Sequence, residues 1–493
     1  MRITKLFSLC ALLLILVVAT ASAKGTYKIR IKVNGVKDSM CYLGYYFGDK
    51  QYLRDSVVAN SKGEFTFKSD TTSLPAGIYL VVLPGKRYFE LLVDKDQDFS
   101  VETDMAYLDD YSKYKTTGSD DNDRFFKYTV FANGCGKKME VFKNLMNKAK
   151  SSGDSAMEKI DRDSITAIEK SMQDFKKDFI KNHPGDLLSV IFKAMFEPEI
   201  PEIPVLENGR PDSTFRYRYY KAHFWDNIDF NDDRIIRTPI FHGKLKTYMQ
   251  NLTVQIPDSI NQSADLIIEK ARPSKELFKY CIWYVTYTYE TSDIMGMDAV
   301  FVHMADTYYA THQAFWVDDA TQFKITDRAN TLRPLLLGKK APNLIMRELH
   351  GEFKSLHDVK APYTVAIFWD PDCGHCKKAM PVLDSLYKAY LKPQGIEVYA
   401  ICAEYELEKW RAYVKEHDLQ WINVADSTYT IPFKKLYDVT STPVIYILDD
   451  KKEIVAKKIS VQQVGEIIEN RNKAKRKKEG EVIKSSNEVK SNK

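Results

Sequence analysis

Cysteine is scarce in this chain of 493 residues, which contains only seven. A small domain that depends on disulfides carries many more for its length, so this composition excludes a scaffold built on disulfides. Only Cys373 and Cys376 lie close together in the sequence. Any chemistry based on cysteine is therefore expected at this pair.

The chain also lacks a strong net charge and, after its first residues, a long apolar run. The formal charge of +5 indicates no particular charged partner. The lysine-rich stretch RNKAKRKKEG near the C-terminus is typical of a solvated tail, so no nucleic-acid partner is expected. No segment after residue 23 reaches the roughly 20 apolar residues that a membrane span needs.

The first 23 residues have the pattern of a secretory signal peptide. Arg2 and Lys5 form a basic start, an apolar run covers residues 7–18, and Ala21-Ser22-Ala23 supplies small residues for cleavage. The run is too short for a retained membrane anchor. We therefore expect an exported protein, located in the periplasm or associated with the cell envelope.

Length and composition predict a multidomain globular protein, because 44% of the residues are hydrophobic and aromatic residues are plentiful. Beyond the signal peptide we predict four regions. These are a β-rich, sandwich-like domain (24–118), a mostly helical domain (119–333), an α/β domain (334–468) and a charged tail, disordered or helical (469–493).

Periodicity supports this division. TYKIRIKV alternates apolar and charged residues, as a half-buried strand does, and GIYLVVLPGKRYFELLVD predicts two strands around Pro84-Gly85. Apolar residues recur at helical spacing between Met157 and Phe179, which predicts an amphipathic helix. After residue 334 we predict the buried strand TVAIFW, a helix, the strand IEVYAICA, a second helix, the strand VIYILDD and a hairpin partner to that strand. This is the order of elements in a thioredoxin-type sheet.

The pair Cys373-Gly374-His375-Cys376 could serve four purposes. A c-type haem needs His directly after the second cysteine, where this chain has Lys377. A structural zinc site needs two more ligands, commonly a second close pair, and the sequence has none, so no metal is predicted. Two buried structural thiols remain possible, but a strand–CxxC–helix arrangement in an exported protein favours a redox dithiol.

The position of the pair suggests different roles for the two thiols. Cys373 stands at the expected start of a helix, where unpaired N–H groups and the helix dipole stabilise a thiolate. Cys376 lies one turn later on the same face, within reach of a disulfide. We predict that Cys373 attacks and that Cys376 resolves the mixed disulfide, so no further cofactor is required.

Thr442-Pro443 precedes the strand VIYIL and is a second marker, because X-Pro bonds adopt the cis form at modest cost. Residues 338–468 resemble the TlpA/ResA-like branch of the thioredoxin superfamily, through an FW-x₃-CxxCKK-x₂-P pattern that begins at Phe368-Trp369 and through the cis-proline position Pro443. The resemblance implies an entry hairpin, a thioredoxin fold and thiol–disulfide exchange with partner proteins. The upstream regions resemble uncharacterised modules of secreted bacterial proteins.

The sequence departs from this family around the cysteines. Ile367 and Ala379 stand where relatives carry the acids of their proton relays, and Asp372 replaces the usual Trp before the first cysteine. A negative Asp372 should oppose thiolate formation at Cys373, whereas a protonated His375 should favour it. Gly374, Thr442, Pro443 and Trp369 complete the predicted substrate groove and tuning residues.

We expect a thiol–disulfide oxidoreductase that acts on protein thiols and disulfides and that exchanges electrons with a further, unidentified protein. The resemblance favours a reductase, since TlpA/ResA-like domains usually reduce disulfides. The CGHC centre makes an isomerase or an oxidase the alternative. Peroxide reduction and a non-catalytic binding role are further alternatives. Cys402, at the end of a predicted strand, is either a buried structural thiol or a third thiol near the site.

Overall fold

The computed structural model describes residues 26–404, 407–427 and 430–491. The predicted signal peptide, residues 1–23, lies outside the described residues. The chain divides into two compact units, Met1–Leu252 with Lys270–Leu277 and Thr253–Glu269 with Phe278–Lys493. No helix of the described part is both long and apolar enough to cross a membrane.

The N-terminal region consists of strands, as predicted. Its eight strands are β1 (Tyr27–Asn34), β2 (Met40–Phe47), β3 (Lys50–Val58), β4 (Glu64–Ser69), β5 (Gly77–Val82), β6 (Tyr88–Val93), β7 (Asp98–Asp104) and β8 (Lys115–Thr117). They form two four-stranded sheets, in the orders β4-β1-β7-β8 and β3-β2-β5-β6. The alternation in β1 buries Ile29, Ile31 and Val33 and leaves the charged residues between them outside the core.

The central region is helical, which confirms that part of the predicted fold class. Its helices are α1 (Asp120–Ser152), α2 (Ser155–Asn182), α3 (Leu187–Ala194), α4 (Phe215–His223), α5 (Pro239–Lys246), α6 (Pro257–Ala271), α7 (Lys275–Glu290), α8 (Asp298–Met304) and α9 (Asp319–Leu332). The predicted amphipathic segment is α2. Its apolar side is only partly covered, since Met157 and Ile160 are exposed.

The C-terminal region is an α/β domain built on one mixed sheet. Its strands are β9 (Ile345–Glu348), β10 (Phe353–Ser355), β11 (Tyr363–Trp369), β12 (Glu397–Cys402), β13 (Ile422–Ala425), β14 (Val444–Asp449) and β15 (Ile454–Lys457). Its helices are α10 (Gly374–Leu386), α11 (Leu407–Glu416), α12 (Phe433–Leu436) and α13 (Val461–Ser491). The sheet order is β10-β9-β13-β12-β11-β14-β15, so β11 lies inside the sheet.

Strand β11 is buried because both faces of the sheet are covered. Val365, Ile367 and Trp369 belong to one apolar cluster, together with residues of α10 and α13. Ala366 and Phe368 belong to a second cluster on the opposite face. A continuous apolar run is what a doubly covered strand requires, and TVAIFW has this composition.

Three elements of this domain bear on the expectations from sequence. The entry hairpin implied by the resemblance is present as β9 and β10. Strand β13 is not predicted from the sequence, because it has only four residues and the polar Asn423 interrupts its apolar run. Helix α13 continues into residues 469–491, the segment predicted as a disordered or helical tail.

Candidate active site

The cysteine pair lies where central strand β11 passes into helix α10. The strand ends at Trp369 and the helix begins at Gly374, with Cys373 as its N-cap residue. The Cys373 N–H donates to the carbonyl of Asp370 at 3.2 Å, and the Lys377 N–H donates to the carbonyl of Cys373 at 3.0 Å. These bonds put the first thiol at the positive end of the helix dipole.

The two thiols differ in their access to solvent. Cys373 is half-buried, whereas Cys376 is fully buried among the apolar side chains of the cluster that contains Trp369. The Asp370 N–H donates to the Sγ of Cys376 at 3.5 Å. Burial raises the pKa of Cys376 to about 12, so this thiol is protonated at neutral pH. A partner sulfur can reach Cys373 and is shielded from Cys376.

Thr442 and Pro443 lie beside Cys373, although 69 residues separate Thr442 from it in sequence. Antiparallel pairing of β14 with β11 places Val444 opposite Phe368, which brings the preceding residues next to the cysteine loop. The Cys373 thiol donates to the carbonyl oxygen of Thr442 at 3.3 Å. The Thr442-Pro443 peptide bond is cis.

The environment of Cys373 lowers its pKa below the ordinary value of a cysteine. Burial opposes ionisation, but it is outweighed by hydrogen bonds to the sulfur from the Thr442 side chain, from the backbone and thiol of Cys376, and from the His375 backbone. The groups that favour the thiolate are therefore local hydrogen-bond donors of the helix start and of the Thr442 segment.

Asp372 is paired with lysines. Its carboxylate lies 2.8 Å from the Nζ of Lys409 and 3.9 Å from the Nζ of Lys377. The hydrogen bond to Lys409 is the main cause that lowers the pKa of Asp372. The two ammonium groups offset the negative charge that, from the sequence, should oppose the thiolate. Lys409 belongs to α11, and no local signal in the sequence connects it with the cysteine loop.

The other residues predicted to form the substrate groove or to adjust the thiol pKa differ in their exposure to solvent. Gly374 and His375 are exposed on the first turn of α10, and a Cβ atom at Gly374 would meet no atom within 4 Å. Trp369 instead lies in the core, fully buried, with its ring 5.2 Å from that of Tyr413. Any influence of Trp369 on the thiols must therefore act from beneath the site.

Ile367 and Ala379, which stand where relatives carry acids, also lie in apolar surroundings. Ile367 is fully buried in β11, where its register partners are Ile445 and Ala400. Ala379 packs against the same apolar cluster as Cys376. Neither position provides a carboxylate for proton transfer to the buried thiol.

Cys402 lies at the end of β12, next to Trp369 in the parallel register. It is buried, its thiol donates to the carbonyl of Glu404 at 3.5 Å, and burial raises its pKa to about 12. A buried and protonated thiol has little nucleophilicity, which favours the structural interpretation. In the described part of the chain, no group of three or more His, Cys, Asp or Glu side chains could hold a metal ion.

The difference between the two thiols predicts selective alkylation of the reduced protein. The rate at Cys373 should rise with pH and level off, with its midpoint below the value of about 8.5 for an unperturbed cysteine, because only the thiolate reacts. Cys376 and Cys402 should remain unlabelled at pH 7. The measurement is the pH dependence of iodoacetamide labelling, read peptide by peptide by mass spectrometry. A midpoint at or above 8.5, or prior labelling of Cys376, would contradict this assignment.

Three protein-family models match consecutive parts of the chain. Residues 27–125 match a domain of unknown function, DUF4369, and residues 153–334 match another, DUF5106. Residues 337–457, which contain the cysteine pair, match the AhpC/TSA family.

Curated proteins are similar to about a quarter of the chain. A thiol-disulfide oxidoreductase ResA of Bacillus cereus is 31% identical over 126 residues, which are 26% of this chain and 71% of that protein. The thioredoxin-like protein YneN of Bacillus subtilis is 32% identical over 23% of this chain and 66% of its own length. A domain of a possible thiol-disulfide isomerase from Cytophaga hutchinsonii is 39% identical in its crystal structure, with 29% of this chain and 98% of that chain covered and a TM-score of 0.28.

The similarity to ResA covers more than two thirds of that protein. The AhpC/TSA match includes the strand, the cysteine pair and the helix described above. Through its C-terminal domain, the chain belongs to the ResA-like family of thioredoxin-fold thiol-disulfide oxidoreductases.

Proposed function

We propose that this protein is an exported reductase of disulfides in partner proteins and that Cys373 and Cys376 carry out the exchange. The observation that carries the proposal is the contrast between an accessible Cys373 with a lowered pKa and a buried Cys376 one turn later. An attacking thiol must ionise and be reached, whereas a resolving thiol must be protected until the mixed disulfide has formed.

The reaction runs in two exchanges. The Cys373 thiolate attacks one sulfur of a partner disulfide, a mixed disulfide forms and the first partner thiolate leaves. Cys376 then loses its proton and attacks the Sγ of Cys373, which forms the Cys373–Cys376 disulfide and releases the second partner thiolate. The partner gains two electrons and two protons. A dithiol protein must then reduce the Cys373–Cys376 disulfide.

Thr442 and Pro443 are proposed to form one side of the groove for the partner chain. The carbonyl of Thr442 lies 3.3 Å from the attacking sulfur, so a polypeptide bound along this segment would present its disulfide at Cys373. Recognition through backbone groups suits many protein substrates, since it demands an accessible disulfide and little else.

The environment of Cys373 favours a reductase over a strong oxidant. In strong oxidants the reduced form is stabilised because the pKa of the attacking cysteine is very low, about 3.5 in DsbA. Here hydrogen bonds lower the pKa of Cys373, but burial opposes the thiolate and offsets part of their effect. Export is supported by the N-terminal sequence, with its basic start, apolar run and Ala-Ser-Ala site.

Turnover in an insulin-type disulfide reduction assay tests the proposed chemistry. Replacement of the attacking thiol in C373S should lower the rate by more than about 100-fold, to the background of the thiol donor. The matched control is C402S, which removes a different thiol of the same domain, one that is buried, and should keep the wild-type rate. Equal rates for wild type and C373S would contradict an enzymatic role and favour a binding protein.

Peroxide reduction is a second candidate, favoured by the match to the AhpC/TSA family. A peroxidatic mechanism needs only the first thiol to react with peroxide. Consumption of hydrogen peroxide by C376S at the wild-type initial rate, without disulfide reductase activity in the wild type, would replace the reductase proposal.

The reduction potential of the Cys373–Cys376 couple tests the direction of electron flow. We expect a value near that of thioredoxin, about −270 mV, because burial of Cys373 opposes the hydrogen bonds that favour its thiolate. The measurement is equilibration of the purified protein with glutathione buffers, read by alkylation of the reduced fraction. A potential near about −120 mV would identify an oxidant, and one near about −180 mV would favour the isomerase alternative.

A further inference from the structure

The segment that carries Thr442 contains a buried charge. Asp438 follows α12 and is only 4% exposed, and residues 438–443 (the Thr442 loop) lead from it to β14. A buried carboxylate must be paired, because desolvation of an isolated charge is costly.

Two cationic side chains form ion pairs with Asp438, and one of them belongs to the helical region. Arg328 of α9 donates through both terminal nitrogens, one to each carboxylate oxygen, and the Nη2–Oδ2 distance is 3.0 Å. The Nζ of Lys458 lies 2.5 Å from Oδ2. Burial raises the pKa of Asp438, but the hydrogen bonds of Arg328 and Lys458 outweigh it and hold that pKa below its ordinary range. Asp438 is therefore charged at neutral pH.

Further ion pairs join α8 and α9 to the α/β domain. Lys457, whose side chain is 6% exposed, pairs with Asp298 of α8 and donates to the carbonyl of Leu335 at 2.6 Å. Lys435 of α12 pairs with Asp327 of α9 at 3.0 Å. Together with the Arg328–Asp438 pair, these contacts hold α8 and α9 against the sheet within a single compact unit.

The Thr442 loop is held at its start and reaches the thiol near its end. Tyr446 of β14 donates to the carbonyl of Tyr437 at 2.7 Å, directly before Asp438. Four residues after Asp438, the carbonyl of Thr442 accepts from the Cys373 thiol. The only described cation from the helical region on Asp438 is Arg328, since Lys458 follows β15.

We propose that Arg328 is a positioning residue of the redox site: its two-pronged bond to Asp438 lets helix α9 hold the Thr442 loop against Cys373. The inference rests on the proposed function of Cys373. It also gives a role to the end of the segment that matches DUF5106, since Asp298 and Arg328 fall within residues 153–334. The redox unit therefore begins before residue 337, where the AhpC/TSA match starts.

The test compares R328M with wild type in the full chain, by the pH dependence of Cys373 alkylation. A displaced loop withdraws the Thr442 side chain, the foremost of the hydrogen-bonding groups that lower the pKa of Cys373. The midpoint should therefore rise by roughly 0.5 pH unit or more, and labelling at pH 7 should slow about threefold. Disulfide reduction at neutral pH should fall in parallel.

The matched control is R333M, which removes an arginine from an exposed pair with Asp306, five residues further along the chain. Its midpoint should equal that of wild type. A second variant, R328K, keeps the charge but loses the two-pronged geometry, so its midpoint should lie between those of wild type and R328M. If R328M does not fold, R328K decides: a raised midpoint supports the inference and an unchanged one overturns it.

An R328M protein that folds and keeps the wild-type midpoint also overturns the inference. That outcome is distinct from failure of the proposed function. If C373S is inactive and R328M has an unchanged midpoint, only the positioning role is lost. If C373S retains full reductase activity, the function of Cys373 itself is wrong, whatever the behaviour of Arg328.

Discussion

The contact between the Cys373 thiol and the Thr442 carbonyl, 3.3 Å long, depends on the pairing of β11 with β14. That pairing joins the strand before the cysteines to the strand after Pro443, so the two halves of the site meet at the same end of these two strands. The apolar residues of β11 pack into a separate cluster on each face of the sheet. The chemistry of the site thus depends on the packing of the core.

The site makes two identical side chains unequal through burial and hydrogen bonding. Cys373 is the N-cap residue of α10 and is half-buried, whereas Cys376 is fully buried one turn later. The charge of Asp372 is balanced by Lys409 and Lys377, which leaves local hydrogen bonds to favour the thiolate.

Local patterns in the sequence predicted the strands and helices whose burial pattern is set by neighbouring residues. The alternation of β1, the continuous apolar run of β11 and the helix after the cysteines each reflect burial on one or two faces. Strand β13 was missed because four residues around Asn423 carry too little periodicity. The Lys409–Asp372 and Arg328–Asp438 pairs were missed because 37 and 110 residues separate their partners, and no period in a sequence encodes such contacts.

Covalent trapping on the C376S variant tests the central claim most directly, namely that Cys373 attacks the partner and Cys376 resolves. Without the resolving thiol, incubation with a disulfide-containing protein should accumulate a mixed disulfide that thiols reverse and that peptide mapping places at Cys373. Wild type should not accumulate it. A stable adduct at Cys402, or none at Cys373 under conditions in which wild type turns over, would contradict the account.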